Sequence, residues 1–193
     1  MSTRITVFGG SQPKPGDPIY QEALHLGKLL AQRGYILLTG GYIGTMEALS
    51  RGAAEAGGYV IGVTCDQIET WRPVKANHWV KEEWHYASLH ERLFALIENC
   101  DAFLALPGGV GTLVEIMLSW NLLLTQILPP RPLILIGSGW QATIQHFLAE
   151  QGEFIPENQR QWVSFVPDAG SAIQQLQELL SMVNYERKGI RYD

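Results

Sequence analysis

The sequence predicts an α/β protein of the Rossmann-like, doubly wound class, with a mainly parallel sheet and helices on both faces. Short apolar runs alternate with longer segments of helical spacing, and glycine-rich turns follow several of these runs. Alternating strands and helices are typical of parallel strands joined by right-handed crossovers. A chain of 193 residues with 46% hydrophobic and 17% charged content can bury a sizeable core, so we expect one domain over 1–193.

The first part of the chain predicts three strands and two helices. Apolar residues recur at helical spacing over 19–33, and Gly34 follows at the position where glycine commonly ends a helix. A second helix starts in the glycine turn at 39–48 and ends before Gly57. Short apolar runs bounded by glycines predict the strands, at 5–8, 35–38 and 59–63.

The segment 64–86 has no clear period and holds three tryptophans, Trp71, Trp79 and Trp84. We expect an ordered excursion over the ends of the strands. Its aromatic side chains either face a nucleobase or pack the loop onto the sheet, and packing is the favoured interpretation because tryptophan supplies much apolar area.

The second part repeats the alternation of strands and helices. Pro129 and Pro130 end the helix that precedes them. The predicted strands lie at 101–106, 131–137 and 162–166, and the predicted helices at 88–99, 112–124, 139–152 and 169–183.

Charge and cysteine content exclude several classes of protein. The net charge is −5, with no basic run except 186–191, which argues against extended nucleic-acid binding. Cys65 and Cys100 form neither a disulfide framework nor a metal-ligand spacing, so we expect buried free thiols and no metal site. No apolar run is long enough to cross a membrane and no signal peptide is visible, so the expected compartment is the cytoplasm.

Three glycine-rich turns follow predicted strands, where sheets of this class bind ligands. In the turn at 107–112, backbone N–H groups at the start of a helix can hold a phosphate, because glycine leaves the backbone open to it. No turn has the spacing of a dinucleotide or Walker motif, so no cofactor is predicted. The predicted phosphate- and substrate-binding residues are Gly10, Ser11, Thr39, Gly40, Gly41, Gly44, Thr45, Pro107, Gly108, Gly109, Val110, Gly111 and Thr112.

Glu115 lies one helical turn beyond the third glycine turn. Its carboxylate can therefore lie beside a ligand held by that turn. The alternative is a capping box, in which Glu115 accepts a hydrogen bond from the backbone N–H of Thr112. The spacing alone leaves both interpretations open.

The segment 107–115, Pro-Gly-Gly-Val-Gly-Thr-Leu-Val-Glu, resembles the PGGxGTxxE signature of the Lonely Guy (LOG) family. That family consists of cytokinin-activating phosphoribohydrolases. The resemblance covers most of residues 4–137, including the turns at 8–11 and 39–48 and the Leu-His-Glu-Arg segment at 89–92.

The resemblance implies that Arg92 and Glu115 are the catalytic pair of a hydrolase. Such an enzyme cuts the N-glycosidic bond of a nucleoside 5′-monophosphate and releases a free base and ribose 5-phosphate. The chemistry needs a carboxylate that stabilises positive charge on the sugar or deprotonates the attacking water. Arg92 is expected to pin the Glu115 carboxylate through a bidentate pair and to bind the ligand.

The sequence departs from the family pattern at several positions. Leu93 replaces a common lysine, Val114 replaces a second glutamate, Tyr42-Ile43 replaces a glycine and its neighbour, and Gln12 replaces a serine. The substrate therefore stays open between a cytokinin nucleotide and AMP or another purine nucleotide. The alternative function is a non-catalytic nucleotide or molybdenum-cofactor carrier of the same fold, which the pair of Arg92 and Glu115 disfavours.

The predicted helix at 112–124 is apolar on nearly every side. A helix that covers one face of a sheet needs a single apolar stripe, so a second copy of the chain is expected to cover the other side. Trp120 is the residue expected in that homodimer interface. The alternative is cover from the Trp71–Trp84 excursion or from the C-terminal helix of the same chain.

Overall fold

The structure, a computed structural model, describes residues 2–160 and 162–187, so the basic residues 188 and 191 lie outside the described part. Its strands are β1 (Arg4–Phe8), β2 (Ile36–Thr39), β3 (Tyr59–Cys65), β4 (Glu82–Tyr86), β5 (Ala102–Ala105), β6 (Leu133–Ile136) and β7 (Val163–Val166). They form one sheet in the order β4-β3-β2-β1-β5-β6-β7. Every neighbouring pair is parallel.

The helices connect consecutive strands or close the chain. They are α1 (Pro18–Gln32), α2 (Thr45–Glu55), α3 (Asp66–Trp71), α4 (Leu89–Glu98), α5 (Val110–Leu124), α6 (Ser138–Gln151), α7 (Glu157–Arg160) and α8 (Ala169–Arg187), with a 3₁₀ turn at Gly152–Phe154. None of the helices in the described ranges is both long and apolar enough to cross a membrane.

Each face of the sheet carries its own hydrophobic core. Helices α1, α2 and α8 cover one face, and α4, α5 and α6 cover the other. Successive strand residues alternate between the two cores: Leu37 of β2 packs with the first and Leu38 with the second, as the period of two along a strand requires. The predicted doubly wound α/β class is confirmed.

The segment 64–86 is more regular than predicted. It contains α3 and the edge strand β4, which pairs with β3. The sequence predicted an ordered excursion over the ends of the strands, and it did not predict that this segment adds a strand to the sheet. Strand β4 alternates partly buried and exposed residues and carries Glu82, Glu83 and His85, so it lacks the apolar run that marks the inner strands.

Trp120 of α5 lies inside the protein. Its side chain is 3% exposed, and its indole N–H donates to the carbonyl of Gln159 at 3.2 Å. Its predicted place in a dimer interface was therefore wrong. This contact comes from the segment that follows α6, and α8 packs on the opposite face of the sheet. The outer side of α5 instead presents Val110, which is 80% exposed, and Val114.

Strand β1 is the point at which the winding of the sheet reverses. The chain passes from β1 through β2 and β3 to β4 on one side, and then returns to β5 on the other. Ligands of open α/β sheets bind beyond the carboxyl ends of the strands at such a point. There the N–H of Gly10 donates to the carbonyl of Pro107 at 3.1 Å, which joins the first and third glycine turns.

Candidate active site

A cavity of about 370 Å³ opens at this reversal point. A volume of this order falls within the range of small-molecule sites. It brings together eight of the predicted site residues, namely Gly10, Ser11, Arg92, Gly109, Val110, Gly111, Thr112 and Glu115. The cavity therefore combines the first and third glycine turns with the predicted catalytic pair.

The third turn leads directly into α5. The helix begins at Val110, two residues earlier than predicted, and Gly109 precedes it without any side-chain cap. The first helical hydrogen bond of this end runs from the Leu113 N–H to the Gly109 carbonyl at 3.0 Å. The N–H groups of Val110, Gly111 and Thr112 thus precede the helical ladder and are available to an anion.

The start of α5 also decides between the two interpretations of Glu115. Because α5 begins at Val110, Thr112 and Glu115 both lie within the helix. A capping box needs its first residue just before the helix, so the capping interpretation was wrong. The Glu115 side chain instead lines the cavity.

In the second glycine turn, Gly44 and Thr45 support the first turn, while Tyr42 and Met46 line the cavity. Thr45 donates both its backbone N–H, at 2.9 Å, and its hydroxyl, at 3.0 Å, to the Gly10 carbonyl. Gly44 has a φ of +75°, and a Cβ there would lie 2.5 Å from the same carbonyl oxygen. Gly44 and Thr45 thus lie outside the cavity lining and hold the Gly10 carbonyl of the first turn.

The other predicted residues outside the cavity lining have similar supporting places. Thr39 is buried at the end of β2, and Gly41 packs against Gly62 of β3. Pro107 accepts the hydrogen bond from Gly10. A Cβ on Gly108 would lie 2.2 Å from the Thr112 hydroxyl, so this glycine allows the turn to close on α5.

Arg92 is buried and lines the cavity. Helix α4 positions it after a capping box formed by Ser88 and Glu91. Its Nε donates to the Val63 carbonyl at 2.7 Å, and its Nη2 donates to the Gly40 carbonyl at 3.2 Å. A Cβ at position 40 would lie 2.2 Å from Nη2, so glycine is needed at this position.

Arg92 and Glu115 line the same cavity without forming an ion pair. No salt bridge between them occurs among the ion pairs of the described residues. The predicted bidentate pair was therefore wrong, because the hydrogen bonds of Arg92 to the Val63 and Gly40 carbonyls orient its guanidinium. The two charges still interact through space.

The pKa of the Glu115 carboxyl lies close to neutral pH. Burial raises its pKa to about 7, and the positive charge of Arg92 acts in the opposite direction. Desolvation disfavours the charged form of a carboxyl group. A carboxyl group with a pKa near 7 can take up or release a proton at physiological pH, as a general acid or base requires.

Besides Gly9, which belongs to the first glycine turn but was not among the predicted binding residues, sequence reasoning missed seven residues of the cavity lining. Three of them, Ile68, Trp71 and Arg72, belong to or directly follow α3. The cluster of tryptophans was the available signal, but packing was the favoured interpretation. The remaining missed residues are Gln12, Tyr42, Met46 and Val74.

The packing interpretation is confirmed for two of the three tryptophans. Trp79 is partly buried, with its ring tilted by 41° to that of His78 and under the Arg51 guanidinium of α2, and Trp84 packs against the core while its indole N–H donates to Glu82 at 2.7 Å. Trp71 is different, because its side chain is 75% exposed and lines the cavity. For Trp71 the packing interpretation was wrong.

Residues 2–159 match the SLOG cluster4 family. The chain belongs to this family. It is 37% identical over 120 residues to the cytokinin riboside 5′-monophosphate phosphoribohydrolase of Rhodococcoides fascians, an alignment that covers 61% of this chain and 60% of that protein. It is 32% identical over 182 residues to a probable enzyme of the same name from Oryza sativa subsp. japonica, covering 91% and 78% of the two chains. The resemblance to the LOG family is thus confirmed.

Solved structures share the fold of this SLOG chain. The molybdenum cofactor binding protein of Rippkaea orientalis superposes with a TM-score of 0.73 at 24% identity, covering 93% of this chain and 98% of that one. The molybdenum cofactor carrier protein of Chlamydomonas reinhardtii gives 0.67 at 23% identity, covering 94% and 99%. Identities this low show a common fold for the SLOG chain and these proteins.

Proposed function

We propose that this chain is a nucleoside 5′-monophosphate phosphoribohydrolase. It would hydrolyse the N-glycosidic bond of a cytokinin or purine nucleotide, such as AMP, to a free base and ribose 5-phosphate. The observation that carries the proposal is the Glu115 carboxyl, whose pKa is raised to about 7 in a cavity that also holds the start of α5. Relatives named for this reaction support it.

Each group has a distinct role in the proposed reaction. The N–H groups at the start of α5 would bind the 5′-phosphate. Ionised Glu115 would stabilise the positive charge that develops on the ribose, or deprotonate the attacking water. Two hydrogen bonds fix Arg92, and a guanidinium has five N–H donors, so donors remain for the ligand.

The second candidate function is a nucleotide or molybdenum-cofactor carrier, because two neighbours in fold are named for that cofactor. A carrier needs the phosphate-binding turn but has no use for a carboxyl group that titrates near neutral pH. Incubation with AMP and with a cytokinin riboside monophosphate, followed by assay of free base and ribose 5-phosphate, separates the two. Binding without base release would favour the carrier. A cytoplasmic location and a single domain over 1–193 stay predictions.

A valine at position 109 tests the phosphate site without strain in the fold. Gly109 has a φ of −98°, and a Cβ there would meet no other atom within 4 Å. We therefore expect Gly109→Val to keep its melting temperature within a few degrees while nucleotide affinity falls by about tenfold or more, since a side chain would block the approach of phosphate to the backbone. Calorimetric titration with AMP measures the affinity.

The matched control is Gly139→Val. Gly139 lies in the first turn of α6, and a Cβ there also meets no atom within 4 Å. This variant carries the same change at the start of a helix outside the cavity lining, so its AMP affinity should equal that of the wild type. Equal affinity in a folded Gly109→Val variant would argue against a phosphate site at α5.

We also propose a homodimer that contacts through α5. Val110 and Val114 are exposed on its outer side, and Met117 and Leu118 are only partly buried. A second copy would remove these side chains from water. The expected mass in solution is therefore twice the 21.5 kDa of one chain.

Leu118→Glu should shift that dimer toward monomer at micromolar concentration, as measured by sedimentation or light scattering. A charge in an apolar interface is costly unless it is paired. Met182→Glu on α8, at another exposed apolar position, should leave the mass unchanged. A monomeric wild type would refute the dimer, and a Leu118→Glu dimer that is fully folded by circular dichroism would remove α5 from the interface.

A further inference from the structure

The side of the cavity next to α3 is apolar and carries an unusually exposed tryptophan. Ile68 and Trp71 of α3 and Val74 beyond it line the cavity. Trp71 is 75% exposed, although a tryptophan can remove more than about 150 Å² from water when it is covered. A large aromatic side chain left open at a cavity is a candidate for contact with a ligand.

Neighbouring groups anchor Trp71 beside the first glycine turn. The guanidinium of Arg72 lies 4.8 Å from the centroid of the Trp71 ring. Nη1 of Arg72 donates to the hydroxyl of Ser11 at 3.1 Å. At the other end of α3, the side-chain carbonyl of Gln67 accepts the N–H of Leu89 at 2.8 Å. The segment is thus tied to the first glycine turn at one end and to the start of α4, the helix that carries Arg92, at the other.

The other aromatic side chain of the cavity lining is already engaged. The hydroxyl of Tyr42 accepts the N–H of Cys65 at 2.8 Å and donates to the carbonyl of Cys65 at 3.2 Å. The ring of Tyr42 faces Arg92, 5.6 Å from its guanidinium carbon, and the residue is buried. Within the part of the lining that the structure describes, Trp71 is therefore the aromatic side chain with a free surface.

We propose that Trp71 is the platform on which the base of the nucleotide stacks. This inference rests on the proposed function and names the ligand class more closely: a nucleoside 5′-monophosphate with a large planar base, a purine in preference to a pyrimidine. The phosphate binds at the start of α5 and the base stacks on Trp71. Stacking on an indole depends on ring area more than on the pattern of hydrogen-bonding groups, so Trp71 selects for base size.

Binding of two ligands tests this role, one with a base and one without. AMP and ribose 5-phosphate are titrated calorimetrically into Glu115→Gln, which is expected to slow turnover, and into the double variants with Trp71→Ala and Trp71→Phe. We expect Trp71→Ala to weaken AMP binding by about 5- to 150-fold and to leave ribose 5-phosphate binding unchanged. Trp71→Phe should retain most of the AMP affinity.

The control for loss of an exposed aromatic residue is Phe154→Ala. Phe154 is 74% exposed and lies outside the cavity lining, so this variant should bind both ligands like its parent. Unchanged AMP affinity in Trp71→Ala would overturn the stacking role. So would equal losses for AMP and ribose 5-phosphate, which would mean that the substitution disturbs the phosphate end.

These outcomes are independent of the catalytic proposal. If the chain with Glu115 intact binds AMP in a Trp71-dependent way but releases no base, hydrolysis is refuted and the base platform stands. If it releases base at the same rate and with the same AMP dependence in Trp71→Ala as in the wild type, hydrolysis stands and the platform is refuted.

Discussion

Replacing Glu115 with glutamine is expected to slow base release by about 10²-fold or more while nucleotide binding survives. Glutamine keeps the size of the side chain but cannot carry negative charge or accept a proton from water near neutral pH. Because α5 begins at Val110 and Glu115 caps nothing, the substitution removes no helix cap. Measurement of kcat and of the AMP dissociation constant separates lost chemistry from lost binding.

Stability provides the control for this variant. The folded pKa of Glu115, about 7, lies above the ordinary value of 4.5, so its contribution to stability is fully present below pH 4.5 and is lost as pH rises through 7. At pH 8 the wild type holds a charged carboxylate in a desolvated place, and Glu115→Gln should melt at the same or a higher temperature.

Glu98→Gln is the matched substitution at an exposed position at the end of α4, and it should keep wild-type turnover. Undiminished turnover in Glu115→Gln would show that the carboxylate is not used. In that case the proposed hydrolytic role of Glu115 would be withdrawn, while the phosphate site at α5 would still stand on its own test.

The inner strands were predictable because both of their faces are covered. A strand buried on both sides is a continuous apolar run, as in β5 (Ala102–Ala105) and β6 (Leu133–Ile136). Edge strand β4 was missed because it alternates glutamate and histidine with aromatic residues. Helix α3 was missed because it has only six residues and buries none of them, too little to produce a helical apolar stripe.

The place of the site was predictable from the glycine turns, but its hydrogen bonds were not. The motif at 107–115 fixes a strand, a turn and a helix start along one stretch of chain. The bonds from Thr45 to the Gly10 carbonyl, and from Arg92 to the Gly40 carbonyl, join residues 35 and 52 positions apart. Such long-range contacts depend on how helices lie across the sheet, which local spacing does not determine.

The burial of Trp120 has a similar explanation. A helix that is apolar on nearly every side has no polar stripe to indicate which side faces the sheet. Trp120 therefore gave the same signal as Val114, which is exposed. The contact of its indole N–H with the Gln159 carbonyl comes from a segment 39 residues away that showed no periodic pattern of its own.

The pH dependence of turnover is expected to report the ionisation of Glu115 directly. The carboxylate must be charged to stabilise the sugar cation or to accept a proton from water. Its pKa in the free protein is about 7, so kcat/KM, which reports ionisations of the free enzyme, should rise from pH 5, level off near pH 8, and fall about tenfold per unit below the midpoint. Between pH 7 and pH 5 the expected loss is about 50-fold, because the ionised fraction falls from about one half to about one hundredth.

Two variants assign that midpoint to Glu115. Because the charge of Arg92 holds the Glu115 pKa down against burial, Arg92→Gln should move the midpoint above 7, whatever it does to affinity. The residual activity of Glu115→Gln should not show this rise between pH 5 and pH 8. If the rate of Glu115→Gln still rises with pH, the rise would belong to the substrate phosphate, whose second pKa is about 6. A profile that is flat from pH 5 to 8 would refute a charged Glu115 in the reaction, and one that falls as pH rises would make Glu115 a proton donor instead.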